Sequence, residues 1–209
     1  MYRWFALLHC LLLLTIPLPV SQPYEDLSPL IDDLRKGGFI LYVRHGEASV
    51  GEDQPGLNLA DCSTQRNLSA KGKEQAKKYG EAIRKLNIPV ALPVESSPLC
   101  RTVQTAEIAF GTPNVTVNPF WLKIYELSEN TNTADTQNIV QTFTRQVERL
   151  TPNQANKVIV AHSFPPGVGL GEIPSMGTVI VKPLGNDKGY KIIGRLTLED
   201  LLRLAQIDS

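Results

Sequence analysis

The chain has 209 residues, 42% of them hydrophobic and 20% charged, with 21 basic and 21 acidic side chains. That length supports one domain with a buried core, and the composition excludes a disordered or fibrous chain. Balanced charge gives no bulk attraction to nucleic acid or to an anionic surface, so any anion site must be local.

Residues 1–21 stand apart from the rest. Arg3 precedes an apolar run from Trp4 to Ile16, followed by Pro17, Pro19 and Ser21. The run is shorter than the roughly 20 residues of a membrane span, which points to a secretory signal and leaves 22–209 as the folded domain. The expected location is periplasmic or extracellular, with no stable membrane insertion once the signal is removed. Pro19 disfavours cleavage after Ser21, so an uncleaved anchor facing outward is the alternative. Cys62 and Cys100 remain in the folded part, in a compartment where disulfides survive; sequence carries no distances, so a bridge between them stays open.

Leu27, Leu30, Ile31 and Leu34 have helical spacing, and Gly37-Gly38 ends the helix they predict. Phe39 to Val43 is an apolar run that reads as a buried strand delivering Arg44-His45-Gly46 at its carboxyl end. From Glu47 to Asn67 no period is visible, and a long loop is expected. Ser69 caps a predicted helix to about Leu86, with Ala76, Tyr79, Ala82, Ile83 and Leu86 facing inward. A strand over Ile88 to Ser97 follows, then a helix from Pro98 to Phe110 with Val103, Ala106 and Ile108 towards the core.

Val115 to Val117 suggests a short strand, and the stretch up to about Ala134 reads as irregular and polar. Ile139, Val140, Phe143, Val147 and Leu150 mark another amphipathic helix before Pro152. Val158 to Ala161 is a buried strand ending at His162. Thr178 to Pro183 and Tyr190 to Leu196 are the last strands, an antiparallel hairpin at one edge, and Thr197 caps a helix through Leu204. Alternating strands and helices predict a three-layer α/β sandwich with a mostly parallel central sheet. Arg44-His45, Ser97 to Arg101 and His162 then all follow strand ends, where such sheets bind ligands.

Each of these segments has a chemical reading. Arg44 supplies a cation for phosphate, His45 a nucleophilic imidazole, and Gly46 a permissive backbone bend. Ser97 would cap a helix whose first turn offers backbone donors and Arg101, whose planar fork suits two phosphate oxygens. The chain has three histidines; His9 falls in the signal, and the other two both end apolar strands. His162, if cationic, would stabilise charge on a transferring phosphoryl group.

The motifs Arg44-His45-Gly46-Glu47, the helix from Ser69 with Gly72, Ser97-x-x-x-Arg101-x-x-x-Thr105-Ala106, and Ala161-His162 together resemble the histidine phosphatase superfamily, in its phosphoglycerate-mutase-like branch. The resemblance implies that His45 attacks phosphorus, that Arg44, Arg101 and His162 bind phosphate, and that neither metal nor cofactor is needed. It also requires a carboxylic acid for the leaving oxygen. Glu126 and Glu172 are both candidates, through a pKa raised by burial, and the sequence does not separate them. Glu47 is expected to orient Arg44, and Arg66 either binds substrate or pairs with a surface acid.

The expected activity is metal-independent hydrolysis of small phosphomonoesters, with mutase activity disfavoured because export separates the chain from glycolytic substrates. Phosphohistidine or lipopolysaccharide-core phosphatase activity lies within the same chemistry. A phosphate-binding or interaction module without turnover is the reading from another class. Substrate and oligomeric state are not legible.

Overall fold

The computed structural model describes residues 26–128, 133–152 and 154–207; the secretory signal expected at residues 1–21 lies outside the described residues. The elements are α1 (Ser28–Lys36), β1 (Ile40–Arg44), β2 (Ala48–Val50), β3 (Asn67–Leu68), α2 (Ala70–Lys85), β4 (Val90–Ser96), α3 (Cys100–Phe110), β5 (Val115–Val117), α4 (Leu122–Glu126), α5 (Thr133–Val147), β6 (Asn156–Ala161), β7 (Thr178–Pro183), β8 (Tyr190–Leu196) and α6 (Leu198–Ala205).

Six strands form one sheet in the order β5-β4-β6-β1-β7-β8. The four from β5 to β1 run parallel, and β7 and β8 close that edge as the expected antiparallel hairpin. Alternate residues of each central strand serve opposite faces. Leu41, Val43, Val158 and Val160 pack under α1, α2, α3 and α6, whereas Ile40, Tyr42, Ile159 and Ala161 pack against Trp121, Ile124, Phe143 and Val147 of the α4–α5 side. This is the three-layer sandwich that the alternating pattern predicts.

The strand order sets up the site. β6 inserts between β4 and β1, so three carboxyl ends adjoin where the order reverses. In this register Arg44 lies opposite Ala161, and Ser96 opposite Val160. The next residues, His45, Ser97 and His162, leave the sheet side by side.

Several expected details differ. On α3 the buried stripe is Thr102, Thr105, Ala106 and Ala109, at helical spacing, and Ile108 lies off it in solvent. α5 ends at Val147, so Leu150 falls beyond the helix and is exposed. The stretch after β5 is not irregular: Asn118 caps a 3-10 turn over Pro119–Trp121 that leads into α4. Glu95 of β4 pins it, accepting from Trp121 Nε1 at 2.7 Å and Asn118 Nδ2 at 2.9 Å while pairing with Lys157. Trp121 and Ile124, three residues apart, are both fully buried there.

The loop expected between Glu47 and Asn67 holds the short β2–β3 ladder and a 3-10 turn over Cys62–Thr64 capped by Asp61. A Cys62–Cys100 disulfide, with Cα atoms 5.7 Å apart, ties this loop to the first residue of α3. Among the described residues no helix is long and apolar enough to cross a membrane.

The bridge joins residues separated by 38 positions. Closing a loop of that size restricts the unfolded chain, so replacing both cysteines by alanine should lower the unfolding free energy by about 4 kcal/mol. Urea denaturation of the oxidised parent and the double variant measures this; a change below about 1 kcal/mol would mean that local hydrogen bonds alone hold the loop.

Candidate active site

Close backbone packing delivers the end of β1. A Cβ on Gly46 would lie 2.5 Å from the Gly72 carbonyl oxygen, and one on Gly72 would lie 2.0 Å from that of Glu47. The two glycines let the β1 exit touch the first turn of α2. Gly46 is therefore required for close approach, not for the permissive bend expected of it; its φ is not positive. Thr105 completes the joint: its hydroxyl donates to the Arg101 carbonyl and accepts from Gly46 N–H at 3.1 Å.

His45 and His162 face one another, with ring centroids 5.6 Å apart. Both are buried, at 3% and 4% exposed. His45 Nδ1 lies 2.7 Å from the Gly46 carbonyl oxygen, which can only accept. A neutral imidazole so placed carries its proton on Nδ1 and leaves the Nε2 lone pair bare. Burial is the main force holding the His45 pKa down, to about 3, with Arg101, Arg44 and Arg66 adding to it. The same burial, then His45 and the three arginines, hold His162 well below the ordinary histidine range. The cationic His162 entertained from sequence is thus disfavoured in this state. Its Nε2 meets Ser97 Oγ at 2.8 Å, its backbone carbonyl accepts from Tyr42 OH, and its ring packs on Tyr125.

The two guanidinium groups are anchored alike. Arg44 Nη1 donates to the Ile173 carbonyl at 2.8 Å, and Arg101 Nη1 donates to Asp53 Oδ1 at 2.9 Å and to the Arg66 carbonyl at 3.1 Å. Arg44 Nε and Arg101 Nε and Nη2 are buried donors without a protein partner. Such donors are costly in a protein interior unless an acceptor meets them. Arg101 is fully buried and Tyr125 lies over it, 5.1 Å from Cζ to the ring centre. Burial and the charges of Arg66 and Arg101 depress the Arg44 pKa, which marks a concentrated positive field. This arrangement fits a small oxyanion. Among the described residues no three His, Cys, Asp or Glu side chains gather as a metal site.

Three sequence expectations change at this site. Ser97 does not cap α3; the N-cap is Leu99, and the Cys100 N–H is taken by Gln65 Oε1 at 2.8 Å, which removes that donor from the helix start. Ser97 instead holds His162. Glu47 does not orient Arg44: its carboxylate accepts from Ser69 Oγ and pairs with Lys71, because the turn after Gly46 carries it towards α2. Arg66 donates to the Ala48 carbonyl rather than to a surface acid.

Of the two glutamates, Glu126 lines a cavity of about 520 Å³ together with Asp53 and Tyr125, and pairs with Lys123 at 2.6 Å. Its side chain is 38% exposed. Glu172 is also exposed, away from that cavity; its neighbour Ile173 reaches the site through the carbonyl that binds Arg44. Neither carboxylate is therefore buried, contrary to the expectation for the acid. Asp53 and Tyr125 were not anticipated. Asp53 sits in an aperiodic loop among other acids, and Tyr125 is marked only by preceding Glu126.

The fold and site together are an α/β sheet with two buried imidazoles and two anchored guanidinium groups at its switch point. Residues 40–126 match the family model described as the histidine phosphatase superfamily, branch 1. The structure is similar to that of the protein histidine phosphatase SixA complexed with tungstate, at TM-score 0.50 and 17% identity, covering 78% of this chain and 99% of that one. A candidate alpha-ribazole-5'-P phosphatase from Escherichia coli K-12 gives TM-score 0.53 at 14% identity, covering 78% and 97%. The alpha-ribazole phosphatase from Shigella flexneri gives 0.50 at 14%, covering 77% and 96%. No curated protein matches the sequence. The resemblance read from the motifs is borne out by the family match and by the shared fold.

The depressed histidines have a consequence for stability. With the folded His45 pKa near 3 and the unfolded value near 6.5, the unfolded chain binds the extra proton throughout that window. Stability should therefore be full above pH 6.5 and fall as pH drops towards 3, with His162 acting in the same direction. In phosphate-free buffer the thermal midpoint should decline between pH 6.5 and 4.5, and His45→Asn should reduce that slope. A flat midpoint in the parent protein would contradict burial of the neutral imidazoles.

Proposed function

We propose that this protein is a phosphatase that hydrolyses small phosphomonoesters through a phosphorylated His45. The observation that carries this reading is the commitment of His45 Nδ1 to the Gly46 carbonyl, with Nε2 left free beside the unpartnered donors of Arg44 and Arg101. The family match over residues 40–126 and the phosphatases among its structural neighbours support it.

In the first step Nε2 attacks phosphorus and the ester P–O bond breaks. Arg101 grips two phosphoryl oxygens with Nε and Nη2 while Arg44 takes another through Nε. Glu126 supplies the proton to the leaving oxygen; it lines the cavity next to Asp53 and Tyr125, which Glu172 does not. In the second step water attacks the phosphohistidine, Glu126 takes back a proton, and inorganic phosphate leaves with Nε2 restored. A bound phosphoryl dianion would favour protonation of His162 and a second charge-assisted hydrogen bond. The apolar amino terminus and the Cys62–Cys100 bridge support an exported location.

His45→Ala should abolish hydrolysis of p-nitrophenyl phosphate, and labelled phosphate should be trapped on wild-type protein under acid-free quenching. Activity should survive EDTA, and strict dependence on an added metal would refute the mechanism. Glu126→Gln should reduce kcat about a hundredfold on an alkyl phosphate, whose alkoxide needs a proton, and much less on p-nitrophenyl phosphate. Glu172→Gln should stay within a few-fold of wild type on both. A loss confined to Glu172→Gln would move the proton donor there.

A further inference from the structure

The carboxylate that touches Arg101 belongs to none of the motifs that carry the family resemblance. Asp53 lies in the loop before β3, and its two oxygens reach three separate pieces of chain. Oδ1 accepts from Arg101 Nη1 at 2.9 Å and from the Arg66 backbone N–H at 2.9 Å; Oδ2 accepts from Tyr125 OH at 3.0 Å. The pair with Arg101 is sheltered, with side chains 0% and 14% exposed. It is the only ion pair made by Arg44, Arg66 or Arg101 among the described residues.

The geometry decides what this carboxylate does. Asp53 and the Arg66 carbonyl both engage Nη1, which uses both protons of that nitrogen. They leave untouched the opposite edge of the guanidinium, Nε and Nη2, which is the edge able to clasp two oxygens of a phosphoryl group. Asp53 therefore does not compete with a substrate for Arg101. It fixes the in-plane rotation of the group, while the Tyr125 ring stacked at 5.1 Å fixes the tilt of the plane. Tyr125 in turn is held by the same carboxylate and lies 5.5 Å from His162, ring centre to ring centre. One side chain thus sets both the arginine and the aromatic wall against the second histidine.

The loop carrying Asp53 is itself fastened close to Arg101. The Cys62–Cys100 bridge ends at the residue before Arg101, and Gln65 Oε1 accepts from Cys100 N–H in the same turn. These ties limit how far Asp53 can move from the arginine.

We propose that Asp53 is a positioning residue for phosphoryl transfer, acting through Arg101 and Tyr125. This rests on the reading of Arg101 as a phosphate ligand given above. Its removal frees Arg101 to rotate about its side chain and to turn the clasping edge away from phosphorus. Misplacement of a binding group by about an ångström costs up to a hundredfold in rate.

The test uses the full chain, p-nitrophenyl phosphate as substrate and inorganic phosphate as competitive inhibitor. Asp53→Ala should raise both KM and the phosphate inhibition constant about tenfold and lower kcat by a similar factor, with folding checked by circular dichroism. Asp53→Asn, which keeps the shape and an acceptor for Nη1, should recover part of each loss. In an Arg101→Lys background, Asp53→Ala should change these constants less than twofold, because the group it positions is gone. Constants within twofold of wild type for both Asp53 variants would overturn the proposal. So would an equal loss with and without Arg101, since the effect would then bypass the arginine. Should Asp53→Ala not fold, the isosteric Asp53→Asn decides by the same criteria. A wild-type protein that neither hydrolyses the ester nor binds phosphate would instead remove the phosphatase reading, and this proposal with it.

Discussion

The parallel pairing of β1 with β6 puts Arg44 opposite Ala161, and from that register the rest of the site follows. The first residue beyond each strand is a histidine, and the His45 N–H still reaches back to the Ala161 carbonyl. Neither ring can leave the rim without breaking a ladder that runs through the middle of the sheet. Tyr42, fully buried one strand position before Val43, adds a hydrogen bond to the His162 carbonyl. The backbone of both imidazoles is thus fixed by the most protected part of the fold, and a slip of one residue would turn them to opposite faces.

That rim gathers more positive charge than its own carboxylates balance. Arg44, Arg66 and Arg101 all bear on the two histidines, and among the described residues Asp53 is the single acid bonded to any of the three. The structure tolerates this by tying each of Arg44 and Arg101 down through Nη1 and by keeping the imidazoles neutral. The remaining donors are held in a poorly solvated place, where a dianion would be bound strongly and with little reorganisation. The same burial that makes the field effective makes the fold sensitive to acid.

The mouth of the site is built differently, from segments with little secondary structure. The loop from Glu47 to Asn67 is secured by a disulfide, by Gln65 and by Asp53, and the segment through α4 is secured by Glu95 on Trp121. Between them lies the cavity lined by Leu57, Leu59, Leu122, Tyr125 and Glu126. The cluster of imidazoles and guanidinium groups is therefore set by strands, whereas the adjoining cavity is set by cross-links between loops. In such an arrangement the chemistry is shared across a fold and the substrate is chosen by the loops.

Much of this organisation was readable from the amino-acid sequence. Apolar runs ending in Arg44-His45 and at His162, the Ser69 cap, the Thr197 cap and the edge hairpin all follow from periodicity and capping, which depend on neighbours within one turn or one strand. Thr105 and Gly72 could be recognised as parts of a pattern, but their reasons, a hydroxyl bridging Gly46 to α3 and a missing Cβ beside the Glu47 carbonyl, required two elements in contact. Ser97 was assigned to the wrong partner because a serine before a helix has a local use, and only the adjacent β6 shows that His162 takes it instead. Asp53 and Tyr125 had no local signature at all: their roles arise from bonds spanning 48 and 72 positions. Sequence alone determined which side chains stand at the strand ends, since that is dictated by short-range pattern. Tertiary structure decided which nitrogen of each is engaged and which is left free, because hydrogen-bond direction depends on partners that only folding brings within reach.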